Sequence, residues 1–335
     1  MGQNKRIIFL QAAHTNTDER VLFHQAQTLQ AAGHIVEIYE IDSFLNYEPK
    51  QADVYIVDTP KALWKIRHTS AKIVYDITEL YPSKKNLRNI RAGKLLKALA
   101  LVVANLWAGW RTDAFIFGEE DKAKPFRILY HRKKHIYLPY YPDLGYIHPM
   151  PTNDIAKECR VLYAGALTKE KGWERVKSTM ENIAKLLPKN QFQLDIITKD
   201  HFTDSNEYDN LHICKLDFMP FEQFCKQIVQ YDLFLDLRDV DFENTRCLPI
   251  KLFYYMACGR PSIYSNLSAI RKGVAQIDDC ACLVDDIKQA TQAMLQYISN
   301  PTLYKQHSQR ALELSQQKYN WQSIKIRLTQ LIDEL

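Results

Sequence analysis

The sequence predicts an α/β protein built from two doubly wound, Rossmann-like domains. Short apolar runs typical of buried parallel strands alternate with helical patterns along the chain. The alternation restarts after a segment rich in proline and tyrosine, residues 137–151, which is typical of a linker. At 335 residues the chain is long enough for two domains of ordinary size, each with its own core.

The first half begins with the apolar run Arg6–Leu10, which predicts a buried strand. A polar loop, Gln11–Glu19, leads into a helical pattern that ends at Gly33, a residue type that commonly terminates helices. Three further strands are predicted in this half, at residues 35–41, 54–57 and 72–75. We therefore expect an N-terminal domain at residues 1–145.

The second half repeats the pattern, with predicted strands at residues 160–164, 193–197 and 233–237. A helix is predicted to begin after Pro249 and to end at Gly259, and Pro261 then leads into the buried strand Ser262–Ser265. The unpaired N–H groups at the start of such a helix suit a phosphate, and Lys251 adds a positive charge there. We expect a second domain at residues 146–315.

The composition is that of a globular protein without a membrane span. The sequence has no run of eighteen apolar residues and no apolar signal-peptide core near its start, so we expect a cytoplasmic location. The seven cysteines are odd in number and irregularly spaced, which favours buried, reduced thiols over disulfides or a zinc site. The net charge of +5 comes from the first 150 residues, where 21 basic residues face 15 acidic ones.

A basic and apolar segment lies in the first half. From Leu80 to Thr112 the chain has no acidic residue. Its cations form one helical stripe: Lys84, Arg88, Arg91, Lys94 and Lys97. The apolar side chains form another: Leu95, Leu96, Leu99, Val102, Val103, Leu106, Trp107 and Trp110. Residues 84–111 suit a helix on an anionic membrane surface, and the alternative is a helix whose apolar side chains pack on the sheet. No nucleic-acid-reading motif is present, so nucleic acid is not an expected partner.

Six segments, in order along the chain, resemble those of one enzyme family. Two lie in the first half, Asp18–His34 and Val74–Pro82. Four lie in the second, Tyr163–Gly172, Asp217–Glu222, Leu248–Pro261 and Lys318–Trp321. Together they resemble the retaining, nucleotide-sugar-dependent glycosyltransferases of the GT-B fold over nearly the whole chain. The resemblance implies two Rossmann-like domains facing a cleft and a terminal helix, residues 316–335, that returns to the first domain.

The resemblance also implies roles for individual residues. The nucleotide-sugar is expected to contact Gly165, Lys171, Asp217, Phe218, Arg246, Leu248, Pro249, Ile250, Lys251 and Tyr254. Lys171 is expected to assist catalysis by neutralising the departing diphosphate, and Asp76 and Glu79 by orienting the acceptor, although a helix cap or surface charge explains the two carboxylates equally well. The sugar and acceptor are expected beside Ala13, His14, Thr15, Asn16 and Thr78. No metal and no cofactor other than the nucleotide-sugar are expected.

The sequence departs from the family pattern at four positions. Ala166 replaces the arginine that pairs with the diphosphate, and Thr78 replaces a histidine. Arg246 and Tyr254 replace two glutamates, the second of which accepts hydrogen bonds from the ribose hydroxyls; a tyrosine can accept only one where a carboxylate accepts two.

Two interpretations fit these losses. In the first, Arg246 supplies the missing cation and Tyr254 bonds to the donor. The protein is then a metal-independent, retaining glycosyltransferase that acts on a glycan or lipid-linked acceptor in cell-surface polysaccharide, lipopolysaccharide or glycolipid synthesis, in the cytoplasm or at the inner face of the membrane. In the second, donor binding has decayed, and the protein is a catalytically inactive sugar- or nucleotide-binding subunit that partners an active glycosyltransferase.

Overall fold

The computed structural model describes residues 4–12, 23–41, 47–78, 93–151, 154–203 and 208–335. Contacts divide the chain into a first unit, Met1–Tyr140 with Ile324–Leu335, and a second unit, Tyr141–Ser323. The division after Tyr140 lies within the predicted linker. Residues 324–335 belong to the first unit, which confirms the predicted return of the terminal helix.

The first unit contains a six-stranded sheet in which every pairing is parallel. Its strands are β1 (Arg6–Ala12), β2 (Ile35–Ile41), β3 (Val54–Val57), β4 (Lys72–Ile77), β5 (Ala114–Phe117) and β6 (Lys134–Tyr137). They lie in the order β2-β1-β3-β4-β5-β6, a doubly wound arrangement. The helices that precede the second unit are α1 (Gln27–Ala31), α2 (Pro60–Lys65), α3 (Lys94–Arg111) and α4 (Glu120–Leu129).

Helix α3 does not place its large apolar side chains in the core. Its buried residues are Asn105, Ala108 and Gly109, whereas Leu95, Leu96, Leu99, Leu106 and Trp110 are exposed. The alternative interpretation, in which the apolar side chains pack on the sheet, holds for Trp107, which packs against the buried core of this unit, but not for these exposed side chains. The predicted cations Lys84, Arg88 and Arg91 lie outside the described residues.

The second unit contains another parallel six-stranded sheet. Its strands are β7 (Glu158–Ala164), β8 (Gln191–Ile197), β9 (Leu211–Leu216), β10 (Leu233–Asp236), β11 (Ser262–Ser265) and β12 (Ala281–Val284). Their order, β12-β11-β10-β7-β8-β9, is that of a Rossmann domain. The strand order reverses between β7 and β10, and open α/β sheets bind ligands at the carboxyl ends of the strands at such a point.

Helices complete the second unit and the terminal segment. They are α5 (Trp173–Leu186), α6 (Phe221–Ile228), α7 (Ile250–Ala257), α8 (Ser268–Gly273), α9 (Ile287–Ser299), α10 (Pro301–Gln317), α11 (Trp321–Ile324) and α12 (Ile326–Asp333). The prediction for α7 is confirmed, because this helix starts after Pro249 and is followed by Gly259 at φ +64°. Strand β11 has the predicted bounds, Ser262–Ser265.

The segment predicted as the terminal helix, residues 316–335, is interrupted: α10 ends at Gln317, and α11 and α12 follow. Asn320 ends α10, because its side-chain amide donates to the carbonyl oxygens of Ser315 and Gln316, both at 2.8 Å. Its side-chain oxygen accepts from the N–H of Ser323 at 2.9 Å and so supports the next turn. Helix α12 then docks on the first unit, where Lys5 Nζ donates to the Ile332 carbonyl at 2.5 Å.

The prediction of buried cysteines holds for four of the seven, Cys159, Cys225, Cys258 and Cys280. It is wrong for Cys214, which is exposed because it lies on the edge strand β9. In the described part of the chain, no helix combines the length and apolar character needed to cross a bilayer.

Candidate functional site

The loop after β7 begins at Gly165 and ends at Gly172. Gly172 has φ +79°, and a β-carbon there would lie 1.9 Å from the carbonyl oxygen of Leu237, just beyond β10. Only glycine fits this close approach. The loop and the end of β10 are therefore held together at the reversal point of the sheet.

Hydrogen bonds fix this loop from two sides. The buried Tyr163 hydroxyl donates to the carbonyl oxygens of Ala166 at 2.7 Å and Lys171 at 3.2 Å. The N–H of Leu167 donates to Asp200 Oδ2 at 2.6 Å. Thr168 caps the short turn Lys169–Lys171, because its side chain accepts from the Lys171 N–H. The loop backbone is thus positioned before any ligand arrives.

A buried ion pair lies at the end of β10. Arg238 Nε and Nη2 donate to the two carboxylate oxygens of Asp236, each at 2.7 Å. Burial opposes the charge of Arg238, but the ion pair with Asp236 outweighs it and raises the pKa of the guanidinium. The pair therefore stays charged beneath the glycine loop.

Lys251 lies in the first turn of α7 and faces the same place. Its Nζ is 3.6 Å from the position that a β-carbon on Gly165 would occupy. Burial lowers the pKa of Lys251 from its ordinary 10.5 to about 8; Arg238 and Lys171 add to this shift, and Asp236 opposes it. No described residue forms a hydrogen bond or ion pair with its ammonium group. A bound anion would supply the missing counter-charge.

Two further features favour an anion at this position. Helix α7 has Pro249 before its first turn and no side-chain cap, so the backbone N–H groups of that turn point outward without a side-chain partner. Lys171 brings a second ammonium group, with 39% of its side chain exposed and only a 3.7 Å contact to Glu170. Leu248 is partly buried, Pro249 is buried and Ile250 is exposed at the rim.

Tyr254, which occupies a glutamate position of the family pattern, lies in the interior. It is 1% exposed, and its ring centroid lies 6.2 Å from those of both Phe221 and Phe224 on α6. Its hydroxyl has no hydrogen-bond partner among the described residues. The expected contact of this hydroxyl with a donor stays a prediction.

Arg246, at the other glutamate position, contacts Phe242 rather than the lysines. Its guanidinium carbon is 3.7 Å from the Phe242 ring centroid, and its Nη1 donates to the Phe242 carbonyl at 3.0 Å. Both side chains are exposed. Lys251, not Arg246, is therefore the cation that accompanies Lys171 at Gly165.

The loop after β9 carries the two residues expected beside the nucleotide base. The Asp217 side chain is 97% exposed and lies 3.8 Å from Lys215 Nζ. Phe218 is 60% exposed, and Lys199 Nζ lies 4.1 Å from its ring centroid. An exposed aromatic face beside a cation can stack on a planar ring.

In the first unit, Asp76 and Thr78 lie at the carboxyl end of β4. Asp76 is buried and accepts a 3.0 Å hydrogen bond from the side-chain amide of Gln25. The Thr78 carbonyl accepts a 2.7 Å hydrogen bond from Lys122 Nζ. Asp76 is therefore not a surface charge. The other expected residues of this unit, Glu79, Ala13, His14, Thr15 and Asn16, lie outside the described residues.

Comparison with solved structures identifies the fold. Sucrose-phosphate synthase from Thermosynechococcus elongatus is similar over 98% of both chains, with a TM-score of 0.67 and 14% identity. Anabaena HepE, solved with UDP-glucose, is similar over 99% of this chain and 100% of its own, with a TM-score of 0.64 and 14% identity.

WaaG, a glycosyltransferase involved in lipopolysaccharide biosynthesis, covers 96% of this chain and 99% of its own, with a TM-score of 0.64 and 13% identity. The chain has the GT-B fold. No family model and no curated protein sequence matches it.

Within this GT-B fold, sequence reasoning missed the residues that set the electrostatics of the site. Asp236 and Arg238 were not predicted, although both follow the apolar run of β10 directly. Charged side chains at the carboxyl end of a buried parallel strand are a usable signal, because that edge of the sheet binds ligands. Tyr163 carried no such signal, since its role depends on where its hydroxyl reaches.

Proposed function

We propose that the chain is a glycosyltransferase that moves a sugar from a nucleotide-sugar donor to a glycan or lipid-linked acceptor. The observation that carries the proposal is the Lys251 ammonium group, which lies beside Gly165 and near Lys171 and forms no ion pair with a described residue. The fold supports it, because the anion site occupies the reversal point of the second sheet. A nucleoside diphosphate is the anion that fits.

The proposed chemistry follows from the charges. When the sugar leaves its nucleotide, negative charge builds on the diphosphate, and preorganised cations stabilise that charge most in the transition state. Lys171, Lys251 and the N–H groups at the start of α7 would take this role without a metal ion. We further propose that the reaction retains the anomeric configuration and that Asp76 and Glu79 orient the acceptor.

The structurally similar enzymes guide the choice of substrates. HepE was solved with UDP-glucose and with UDP, so these are the first ligands to test. WaaG is involved in lipopolysaccharide biosynthesis, which supports the proposal of a cell-surface polysaccharide or glycolipid product. We propose that the protein acts in the cytoplasm, at the inner face of the membrane.

Calorimetry with UDP and UDP-glucose tests the donor site. Losing one hydrogen bond to a charged group costs about 1.5–3 kcal/mol, so Lys171→Ala and Lys251→Met should each weaken binding roughly tenfold to a hundredfold. Lys169→Ala is the matched control, since Lys169 lies in the same turn, is exposed, and is not among the groups that shift the pKa of Lys251. The proposal fails if no nucleotide binds the folded protein, or if all three variants bind like the wild type.

A second candidate is the catalytically inactive nucleotide-binding subunit, which the burial of Tyr254 favours. In the family pattern, position 254 is a glutamate whose carboxylate binds the ribose. Here the Tyr254 side chain packs against Phe221 and Phe224. Release of UDP from UDP-glucose, with and without a glycolipid fraction as acceptor, separates the two functions. Release that is lost in Lys171→Ala supports the transferase. Donor binding that depends on Lys171, without any release, supports the inactive subunit. Chelation by EDTA should leave the release unchanged.

A further inference from the structure

Helix α3 exposes an apolar face that does not pack against the rest of the described structure. Seven of its side chains are large, apolar and exposed: Leu95, Leu96, Leu99, Val102, Val103, Leu106 and Trp110. Leu95 and Leu96 are each 74% exposed and Trp110 is 69% exposed, which is unusual for residues of this type. We call these seven side chains the α3 face. A contiguous apolar patch of this kind marks an interaction surface.

The helix is held on the unit by its opposite side, so this orientation is fixed. The Tyr75 hydroxyl donates to Asn105 Oδ1 at 2.9 Å, and the Tyr130 hydroxyl donates to the Leu106 carbonyl at 2.5 Å. Lys133 Nζ donates to the carbonyl oxygens of Gly109 at 2.9 Å and Trp110 at 2.5 Å, which satisfies the end of the helix. Rotating the leucines inward would break all of these hydrogen bonds.

The surface extends beyond α3. Trp64 on α2 is 53% exposed, and its ring centroid lies 5.1 Å from that of Trp107. At the end of α4, Ile128 is 73% exposed and Leu129 is 56% exposed, next to the Tyr130 that bonds to α3. The apolar surface of α3 therefore continues onto α2 through the contact between Trp64 and Trp107.

The charged side chains of α3 itself are all positive. Helix α3 carries Lys94, Lys97 and Arg111 and no acidic residue. At the end of α2, the Arg67 guanidinium carbon lies 4.7 Å from the Trp64 ring centroid. A second copy of the chain would bring the same cations against these, whereas an anionic surface neutralises them.

We propose that the α3 face docks on an anionic lipid bilayer, with its leucines among the acyl chains and its lysines at the headgroups. Helix α3 has 18 residues, so it is about 27 Å long and lies along the surface. Exposed Trp110 and Trp64 suit the headgroup region, because indole combines an apolar body with one polar N–H. This inference rests on the exposed face and does not depend on the transferase reaction.

Vesicle co-sedimentation of the full chain tests the proposal. The vesicles are phosphatidylcholine alone and phosphatidylcholine with 30% phosphatidylglycerol, at low and high salt. The test variant carries Leu96→Ser, Leu99→Ser and Val103→Ser. The control variant carries Met150→Ser, Leu186→Ser and Ile326→Ser, which are exposed apolar side chains outside the surface.

We expect the wild type and the control to bind the anionic vesicles alike and the test variant to bind at least tenfold more weakly. Lys94→Gln with Lys97→Gln should weaken binding about fivefold per lysine and reduce its salt dependence. Circular dichroism melting shows whether each variant is folded. Equal vesicle binding by the test and control variants overturns the proposal, as does binding that is insensitive to phosphatidylglycerol. Light scattering that shows a dimer lost only in the test variant also overturns it, in favour of a second copy.

Discussion

Substitution or deprotonation of Lys251 should weaken nucleotide binding, and the pH dependence of that binding tests the proposed site. Burial lowers its pKa to about 8, so the group titrates close to neutral pH rather than near 10.5. A diphosphate binds the ammonium form and not the neutral amine. The affinity for UDP should therefore fall as the pH rises through about 8.

The size of the effect follows from the protonated fraction. With a pKa of about 8, roughly nine-tenths of the protein carries a charged Lys251 at pH 7, and roughly one-tenth does at pH 9. The affinity should thus fall by up to about tenfold, or about 1.4 kcal/mol, between these pH values. The ligand works in the opposite direction, because its terminal phosphate loses its last proton near pH 6 and is fully charged above pH 7.

Calorimetry with UDP at pH 7, 8 and 9 and constant ionic strength measures this dependence. The wild type should lose affinity across the series, and Lys251→Met should bind weakly at all three values with a flat profile. Lys171→Ala should bind weakly but keep the slope, since Lys251 remains. A wild-type affinity that stays constant to pH 9 refutes the reasoning. So does an equal slope in Lys251→Met.

Three further predictions concern stability and the site. The pKa of Lys251 is about 8 in the folded protein and 10.5 in the unfolded chain. Its burial therefore lowers the free energy of unfolding by the full amount below pH 8, and this destabilisation disappears as the pH rises to 10.5. Lys251→Met should therefore raise the free energy of unfolding at pH 7, by at most about 3 kcal/mol and by less after solvent screening, in chemical denaturation. Gly172→Ala should lower the melting temperature and abolish UDP binding, because its β-carbon would lie 1.9 Å from the Leu237 carbonyl oxygen; a normal melting curve would contradict this. Tyr254→Phe should leave the melting temperature unchanged or higher, since the hydroxyl has no described partner, and a fivefold or greater loss of UDP-glucose affinity would show that it bonds to the donor.

Most of the fold could be predicted from local sequence patterns. Strands β2, β3 and β11 have their predicted bounds, because turn-favouring residues flank each of them. Strands β5, β6, β9 and β12 were not among the predicted strands. Strands β5 and β6 are each four residues long, and β5 follows α3 so closely that its apolar side chains resemble a continuation of the helix.

Only some of the charged residues at the site could be predicted from the sequence. The sequence predicted Gly165, Lys171 and Lys251 as donor-binding residues, because glycine-rich loops and helix starts are recognisable anion-binding patterns. One of its two interpretations took the missing cation from Arg246, whose guanidinium contacts Phe242 in the structure. The distance between Lys251 and Gly165 depends on how β7 and α7 pack, and no spacing along the chain encodes that distance.

Under the proposed function, the loss of an arginine at position 166 and the loss of a glutamate at position 254 have different consequences. The guanidinium absent at Ala166 leaves Lys171 and Lys251, the second of which reaches the glycine loop at Gly165, as the cations for the diphosphate. The carboxylate absent at Tyr254 has no replacement at that position, because the tyrosine lies against Phe221 and Phe224. Ribose contacts act equally in the bound donor and in the transition state, whereas cations at the diphosphate act most strongly as the sugar leaves. A chain that keeps the cations and loses the carboxylate should therefore bind its donor weakly while losing little in the rate of the bound complex.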